Sequence, residues 1–161
     1  MAVIKVGIAD LNVAAYPDTI TTLGLGSCVG VTLYDSTTKI AGLAHVMLPS
    51  TELSKTAVVN KAKFADSALP ELVDRMLKKG AVARRIKAKM AGGAQMFQFK
   101  DSTGQKSIGD RNIEACKMAL RKLGIPLVAE DVGGNYGRTI ELFTETGMLE
   151  VRAISKDIKH I

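Results

Sequence analysis

The stretch Gly24-Leu25-Gly26-Ser27-Cys28-Val29-Gly30-Val31-Thr32-Leu33-Tyr34-Asp35-Ser36-Thr37-Thr38-Lys39-Ile40-Ala41-Gly42-Leu43-Ala44-His45-Val46-Met47-Leu48 decides the fold. Two β-prone apolar runs, residues 28–34 and 40–48, flank a polar break, and Pro49 ends the second. Together they read as an antiparallel hairpin. The tightest version takes Ser36-Thr37 as a two-residue loop and places His45 directly across from Cys28. Opposed residues have Cβ atoms about 4.5–5.5 Å apart, close enough for an imidazole to take a thiol proton. A slip of one residue would put the pair on opposite faces.

Outward from the hairpin, residues 3–8 and 18–23 read as strands, the second preceded by Pro17. Residues 50–60 are polar and loop-like. Residues 61–79 read as an amphipathic helix, because Phe64, Ala68, Leu69, Leu72, Val73, Met76 and Leu77 recur at three- and four-residue spacing. Lys78 and Lys79 suit its negative end, and Gly80 can stop it. Pro70 lacks the N–H that a helix interior needs and is expected to kink or restart it. Residues 85–90 alternate as a strand, Ala91-Gly92-Gly93-Ala94 reads as a tight turn, and a loop is expected around 101–106. Asp110 can cap a second helix with Ile113, Cys116, Leu120 and Leu123 on its apolar face, Gly124 after its end and Pro126 beyond. Residues 127–129, 139–143 and 149–154 read as strands, with turns at 133–137 and 145–147. Strands joined mostly as hairpins, with two longer helices on one side, predict an α+β fold built on a mostly antiparallel sheet system.

A chain of 161 residues without repeats fits one domain over residues 1–161. With aromatic content at 4% and no Trp, the core must come from Val, Ile, Leu, Ala and Met. No apolar run approaches the ~20 residues of a membrane-spanning helix, so no membrane insertion is expected. Met1-Ala2-Val3-Ile4-Lys5 lacks the charged-then-apolar order of a signal peptide. Two cysteines in unlike settings do not form a disulfide framework, and a cytoplasmic protein with reduced thiols is expected. The net charge of +6 gathers at Lys78-Lys79, Arg84-Arg85-Lys87-Lys89 and Arg121-Lys122. It fits a solvated basic face, an acidic protein partner or nucleic acid. No zinc-ligand spacing or aromatic ribonucleoprotein signature supports the last.

Cysteines among valines are commonly small buried hydrophobes. Cys28 differs in following a turn with two glycines, Gly24 and Gly26, where the backbone bends and leaves N–H groups free for an oxyanion. Ser27 and Thr22 can hydrogen-bond beside it, and a thiolate paired with an imidazolium can titrate far below a free thiol. Cys116, on a helix stripe with no histidine nearby, reads as core. His45, in a buried run, reads as a core histidine or as a neutral general base, and the two are compatible. His160 lies one residue from the end of the sequence, is expected to be frayed, and is a poor candidate. A third group usually orients the imidazole. No acidic residue sits at an obvious position, Asp35 belongs to the turn, and Thr22 is indicated by spacing alone. Zinc needs three or four ligands, which this pair does not supply. Gly24-x-Gly26 is neither a phosphate loop nor a dinucleotide fingerprint. Gly92-Gly93 and Gly133-Gly134 are ordinary turns or the walls of a narrow substrate slot at Cys28. In the second case Arg111 and Arg138 would stand at its rim.

Thr22-Leu23-Gly24-Leu25-Gly26-Ser27-Cys28-Val29 with Ala44-His45-Val46-Met47-Leu48-Pro49 resembles the signature of the CheD family of chemoreceptor glutamine deamidases. Lys89-Met90-Ala91-Gly92-Gly93-Ala94, Ile108-Gly109-Asp110-Arg111-Asn112 and Glu130-Asp131-Val132-Gly133-Gly134-Asn135 extend the similarity, from about residue 3 to about residue 152. The resemblance implies an α/β/β layered sandwich related to deamidating bacterial toxins. It implies a catalytic Cys28, His45 and Thr22, no cofactor, and glutamines on the cytoplasmic helices of methyl-accepting chemotaxis receptors as substrate. The phosphatase CheC would be a partner competing for the face around the site. Two alternatives stay open: a cysteine amidase or esterase on another substrate, and a non-catalytic regulator that binds receptor or phosphatase.

Overall fold

The computed structural model describes residues 1–96 and 106–161. Of the loop expected around 101–106, only Lys106 falls within them. In chain order the elements are β1 (Val3–Val6), β2 (Leu11–Ala15), β3 (Thr19–Leu25), β4 (Val29–Asp35), β5 (Ile40–Val46), α1 (Ala65–Lys78) and β6 (Ile86–Gly92). Then follow α2 (Ile108–Leu123), β7 (Leu127–Val132), β8 (Arg138–Phe143), β9 (Leu149–Arg152) and β10 (Lys159–His160).

The strands form two five-stranded sheets, ordered β2-β5-β4-β6-β7 and β1-β3-β8-β9-β10. Only β1–β3 and β6–β7 pair in parallel; the other ladders among the described residues are antiparallel. Side-chain alternation along β4 and β5 builds the layers. Val29, Val31 and Leu33 of β4, with Ala44 and Val46 of β5, pack under Leu69, Leu72 and Met76 of α1 and Cys116 and Leu120 of α2. Ala41 and Leu43 of β5 face the other way and join Ile20, Leu25, Ile140 and Leu142 between the sheets. Helices, inner sheet and outer sheet thus make an α/β/β sandwich, as expected. Every residue of β5 is buried, which explains why residues 40–48 read as a continuous apolar run. Each large aliphatic side chain so buried contributes about 1.5–3 kcal/mol.

The hairpin register differs from the tightest version. Asp35 pairs with Ile40, Gly30 with His45 and Val29 with Val46, so the loop spans Ser36-Thr37-Thr38-Lys39. The cause is Asp35. Its buried carboxylate accepts the Thr37 N–H at 3.0 Å and the Arg85 guanidinium at 3.0 Å, closing the ladder two residues earlier. Lys39 takes a left-handed φ of 55° and donates its N–H to the Asp35 carbonyl. His45 therefore faces Gly30, not Cys28. A shift of two residues preserves the faces, so Cys28 and His45 stay on the same side.

Helix α1 starts at Ala65, after a 3-10 turn at Lys61–Lys63, and runs through Pro70 without a break. Pro70 and Asp66, whose carbonyl loses its donor, both lie on the exposed face of the helix. Burial of Ala68, Leu69, Leu72 and Met76 holds the helix together. The cap of α2 is Ser107, not Asp110: its hydroxyl accepts the Asp110 N–H at 3.2 Å. Asp110 lies in the first turn, where the helix dipole favours it. Gly124 ends α2 at φ 70°. Strand β2 was not foreseen; it pairs with β5 as an edge. His160 is not frayed but lies in β10, with Nε2 3.6 Å from Glu150.

Candidate active site

The ends of β3 and β5 and the turn between β3 and β4 meet in the layer between the sheets. Thr22 on β3 and His45 on β5 are both fully buried there, and Thr22 Oγ1 lies 2.7 Å from His45 Nδ1. The same hydroxyl lies 2.7 Å from the Val6 carbonyl oxygen on β1. A carbonyl only accepts, so the single Thr22 proton goes to Val6, and Thr22 must accept from His45 Nδ1–H. That fixes the tautomer. His45 Nε2 carries a lone pair, is buried, and has no partner among the described residues. A buried polar atom without a partner in a native fold asks for an explanation.

Cys28 sits one residue before the first β4–β5 pair, on the face shared by Gly30 and His45. It is half-buried against the inter-sheet cluster. In this register His45 is its diagonal neighbour across the ladder, a relation that long side chains can span. Burial pushes the Cys28 thiol above its ordinary range, with its own backbone N–H partly opposing. Burial likewise pulls His45 below the usual imidazole value. The resting site therefore holds a neutral thiol and a neutral imidazole rather than an ion pair. Cys116, by contrast, is fully buried among apolar side chains, its pKa pushed up to about 12.

A β-bulge between Thr22 and Leu25 turns the chain toward Cys28, with Gly24 at φ 70° and its carbonyl accepting the Gly26 N–H at 3.1 Å. Gly24 is thus exposed and shapes the turn. Gly26 packs close to Met96, where a Cβ would lie 3.1 Å from its Cγ. The N–H groups of Ser27 and Cys28 have no backbone acceptor among the described residues. Gly92 and Gly93 do approach Cys28: the Gly93 N–H donates to the Cys28 carbonyl at 2.8 Å, and a Cβ on Gly92 would lie 2.4 Å from that oxygen. Gly133 in turn donates to the Gly92 carbonyl at 2.9 Å.

The two arginines do not stand at a rim. Arg138 is buried, bound to Asp131 at 3.0 Å, and stacked 4.2 Å from the Tyr136 ring centroid. Its cross-strand partner is Leu25, so it braces the turn from behind. Arg111 is exposed on α2 and lines a groove of about 550 Å³ between the helices, with Pro49, Pro70 and Met118. A smaller cleft of about 210 Å³ opens beside Ser27, Ala94, Met96 and Gly109. It borders the thiol turn at Ser27. Among the described residues, no three His, Cys, Asp or Glu side chains gather as metal ligands, and no helix is long and apolar enough to cross a membrane.

Sequence reasoning missed Asn112. It is fully buried in α2, and its Nδ2 donates to the carbonyls of Ser27 and Met47, each at 2.9 Å. Its signal was an asparagine inside a helix, where the residue is disfavoured unless its side chain has partners elsewhere.

The family model described as CheD chemotactic sensory transduction matches residues 47–153. That match begins beyond Thr22, Cys28 and His45, but curated relatives extend over them. A protein of Halalkalibacterium halodurans called chemoreceptor glutamine deamidase CheD is 54% identical over 159 residues, 99% of this chain and 98% of its own length. One of Bacillus subtilis with the same description is 49% identical over 159 residues, covering 99% and 96% of the two chains. A protein of Clostridium novyi, described as a probable chemoreceptor glutamine deamidase CheD, is 53% identical over 159 residues. Identity of this level across nearly the whole of both chains establishes that the chain belongs to the CheD family.

Proposed function

We propose that this protein is a protein-glutamine deamidase that converts glutamines of chemotaxis receptors to glutamate in adaptation, with Cys28 as nucleophile. The observation that carries the reading is the Thr22–His45 hydrogen bond at 2.7 Å, because it leaves His45 Nε2 as an unpartnered base on the thiol's face. The names of the full-length relatives support the substrate class.

The chemistry follows from neutral partners. His45 Nε2 takes the Cys28 proton as Sγ bonds to the carboxamide carbon, and the carbonyl π electrons move to oxygen. The N–H groups of Ser27 and Cys28 bind that oxyanion. As the tetrahedral adduct collapses, the C–N bond breaks and His45 returns the proton to the leaving nitrogen, releasing ammonia and leaving a thioester. His45 then deprotonates a water, which attacks the thioester carbon. The C–S bond breaks, the thiol recovers its proton, and glutamate remains. Thr22 holds the imidazole tautomer throughout. No cofactor enters these steps. The reaction would take place in the cytoplasm, on the receptor helices that carry the glutamines. A net charge of +6 suits acidic helices of that kind, and CheC would compete for the same face.

Ammonia release from a receptor cytoplasmic fragment tests the reading. The intact protein should release ammonia, and Cys28→Ala and His45→Ala should not, while keeping native circular dichroism. Methanol release from glutamyl methyl esters, with no ammonia from glutamine, would favour an esterase. Binding without release would favour a non-catalytic regulator.

A further inference from the structure

Asn112 touches both segments that bear the reacting groups. Its amide nitrogen donates to the Ser27 carbonyl, one residue before Cys28, and to the Met47 carbonyl, two residues after His45. Its own Oδ1 has no partner among the described residues, so the side chain is held by its two donors alone. The first turns of α2 pack closely against the segment that holds Gly93 and Ala94. A Cβ on Gly109 would lie 2.5 Å from the Ala94 carbonyl oxygen, and one on Gly93 would lie 2.4 Å from Ile113.

The Ser27 carbonyl and the Cys28 N–H belong to one planar trans peptide, so they point in opposite directions. A donor that draws the carbonyl toward α2 therefore turns the N–H away from α2, to the side of the thiol. Cys28 packs against the inter-sheet cluster, on the side of β4 away from α2. We infer that Asn112 is a positioning residue, which aims the Cys28 N–H at the developing oxyanion by anchoring the Ser27 carbonyl. This rests on the deamidase reading for the nature of the substrate, but the orientation of the donor is a property of the fold.

Asn112→Asp keeps the shape and replaces the donor by an acceptor that repels both carbonyls. Asn112→Ala removes it. Both are measured at a temperature where circular dichroism shows the native fold. Iodoacetamide alkylation of Cys28 needs the thiol and its base but no oxyanion donor, whereas turnover needs all three. The inference predicts that kcat for ammonia release falls by about 10–100-fold in both variants, with KM and the rate and pH profile of alkylation retained. A peptide whose glutamine carboxamide is replaced by an aldehyde gives a second readout. The thiol adds across the aldehyde, its proton passes to oxygen, and that oxygen occupies the donor site. Aldehyde affinity should fall with kcat. Unchanged kcat and aldehyde affinity in a folded variant would overturn the inference. So would alkylation falling in parallel, which would make Asn112 a general support of the thiol–imidazole pair. If the intact protein itself releases no ammonia, the deamidase reading fails, and the aldehyde arm still decides the role of Asn112.

Discussion

Thr22 Oγ1 and His45 Nδ1, on strands of different sheets, are joined by a buried 2.7 Å hydrogen bond whose direction is set by the Val6 carbonyl on the far side of the hydroxyl. The relay Val6–Thr22–His45 leaves the imidazole with one tautomer. Thr22→Val keeps the shape of the side chain and removes the hydroxyl, so the Nδ1–H loses its acceptor and the Val6 carbonyl its donor. Stability should fall by about 1–3 kcal/mol. Turnover should fall while KM holds, because the imidazole is then free to rotate or to carry its proton on Nε2. Thr22→Ser restores the hydroxyl and should recover most of the rate. Steady-state kinetics of the two variants check this.

The two cysteines should separate by reactivity. Cys28 is half-buried on the face of the sheet that carries His45, whereas Cys116 is fully buried, its pKa pushed up to about 12. Iodoacetamide at neutral pH should label Cys28 alone in the native protein and both cysteines in urea. Peptide mapping of the alkylated protein gives the ratio directly.

Acidity acts through His45. Its folded pKa is pulled down by burial, below the unfolded value of about 6.5. The unfolded chain then binds the proton more readily, so this residue's contribution to stability is full above about pH 6.5 and declines below it, levelling off under the folded pKa. The acid limb of kcat/KM should likewise lie below about pH 6.5, since the base is already neutral there. On the alkaline side the raised Cys28 pKa keeps the thiol protonated beyond the usual range, so no plateau loss is expected near neutrality. A pH–rate profile with its acid limb above that of free imidazole would contradict this.

Gly92 supports Cys28 by close approach. At φ 105°, with a Cβ placed 2.4 Å from the Cys28 carbonyl oxygen, Gly92→Ala is strained twice. It should cost about 1–3 kcal/mol and displace the thiol turn. Gly24→Ala meets only the φ penalty, because its Cβ finds open space, and should be milder. Urea denaturation of the two variants compares them.

The hairpin, the helix faces and the shared face of Cys28 and His45 were legible because each rests on a period of two or about 3.6 residues that burial enforces. Apolar alternation fixes which face a residue takes but leaves even register shifts undetermined, and there the Asp35 carboxylate moved the pairing by two. Strand β2, with the weak pattern Leu11-Asn12-Val13-Ala14-Ala15, is held by its pairing to β5 rather than by its own propensity. Thr22 was indicated by spacing and strengthened by resemblance, and Asn112 was not indicated at all. Their partners lie on other elements, 23 residues away for Thr22–His45 and 85 for Asn112–Ser27, and no local spacing encodes such contacts. The rim position that Arg138 would take beside a substrate slot is not seen, because Arg138 is buried and its charge is met inside by Asp131.

The most direct test of the central claim is mass spectrometry of a receptor cytoplasmic fragment after incubation with the intact protein or with Cys28→Ala, followed by peptide mapping. The account predicts conversion of specific glutamines to glutamate by the intact protein and none by Cys28→Ala. Conversion that persists without the Cys28 thiol, or a fragment left unchanged by the intact protein while bound to it, would contradict it.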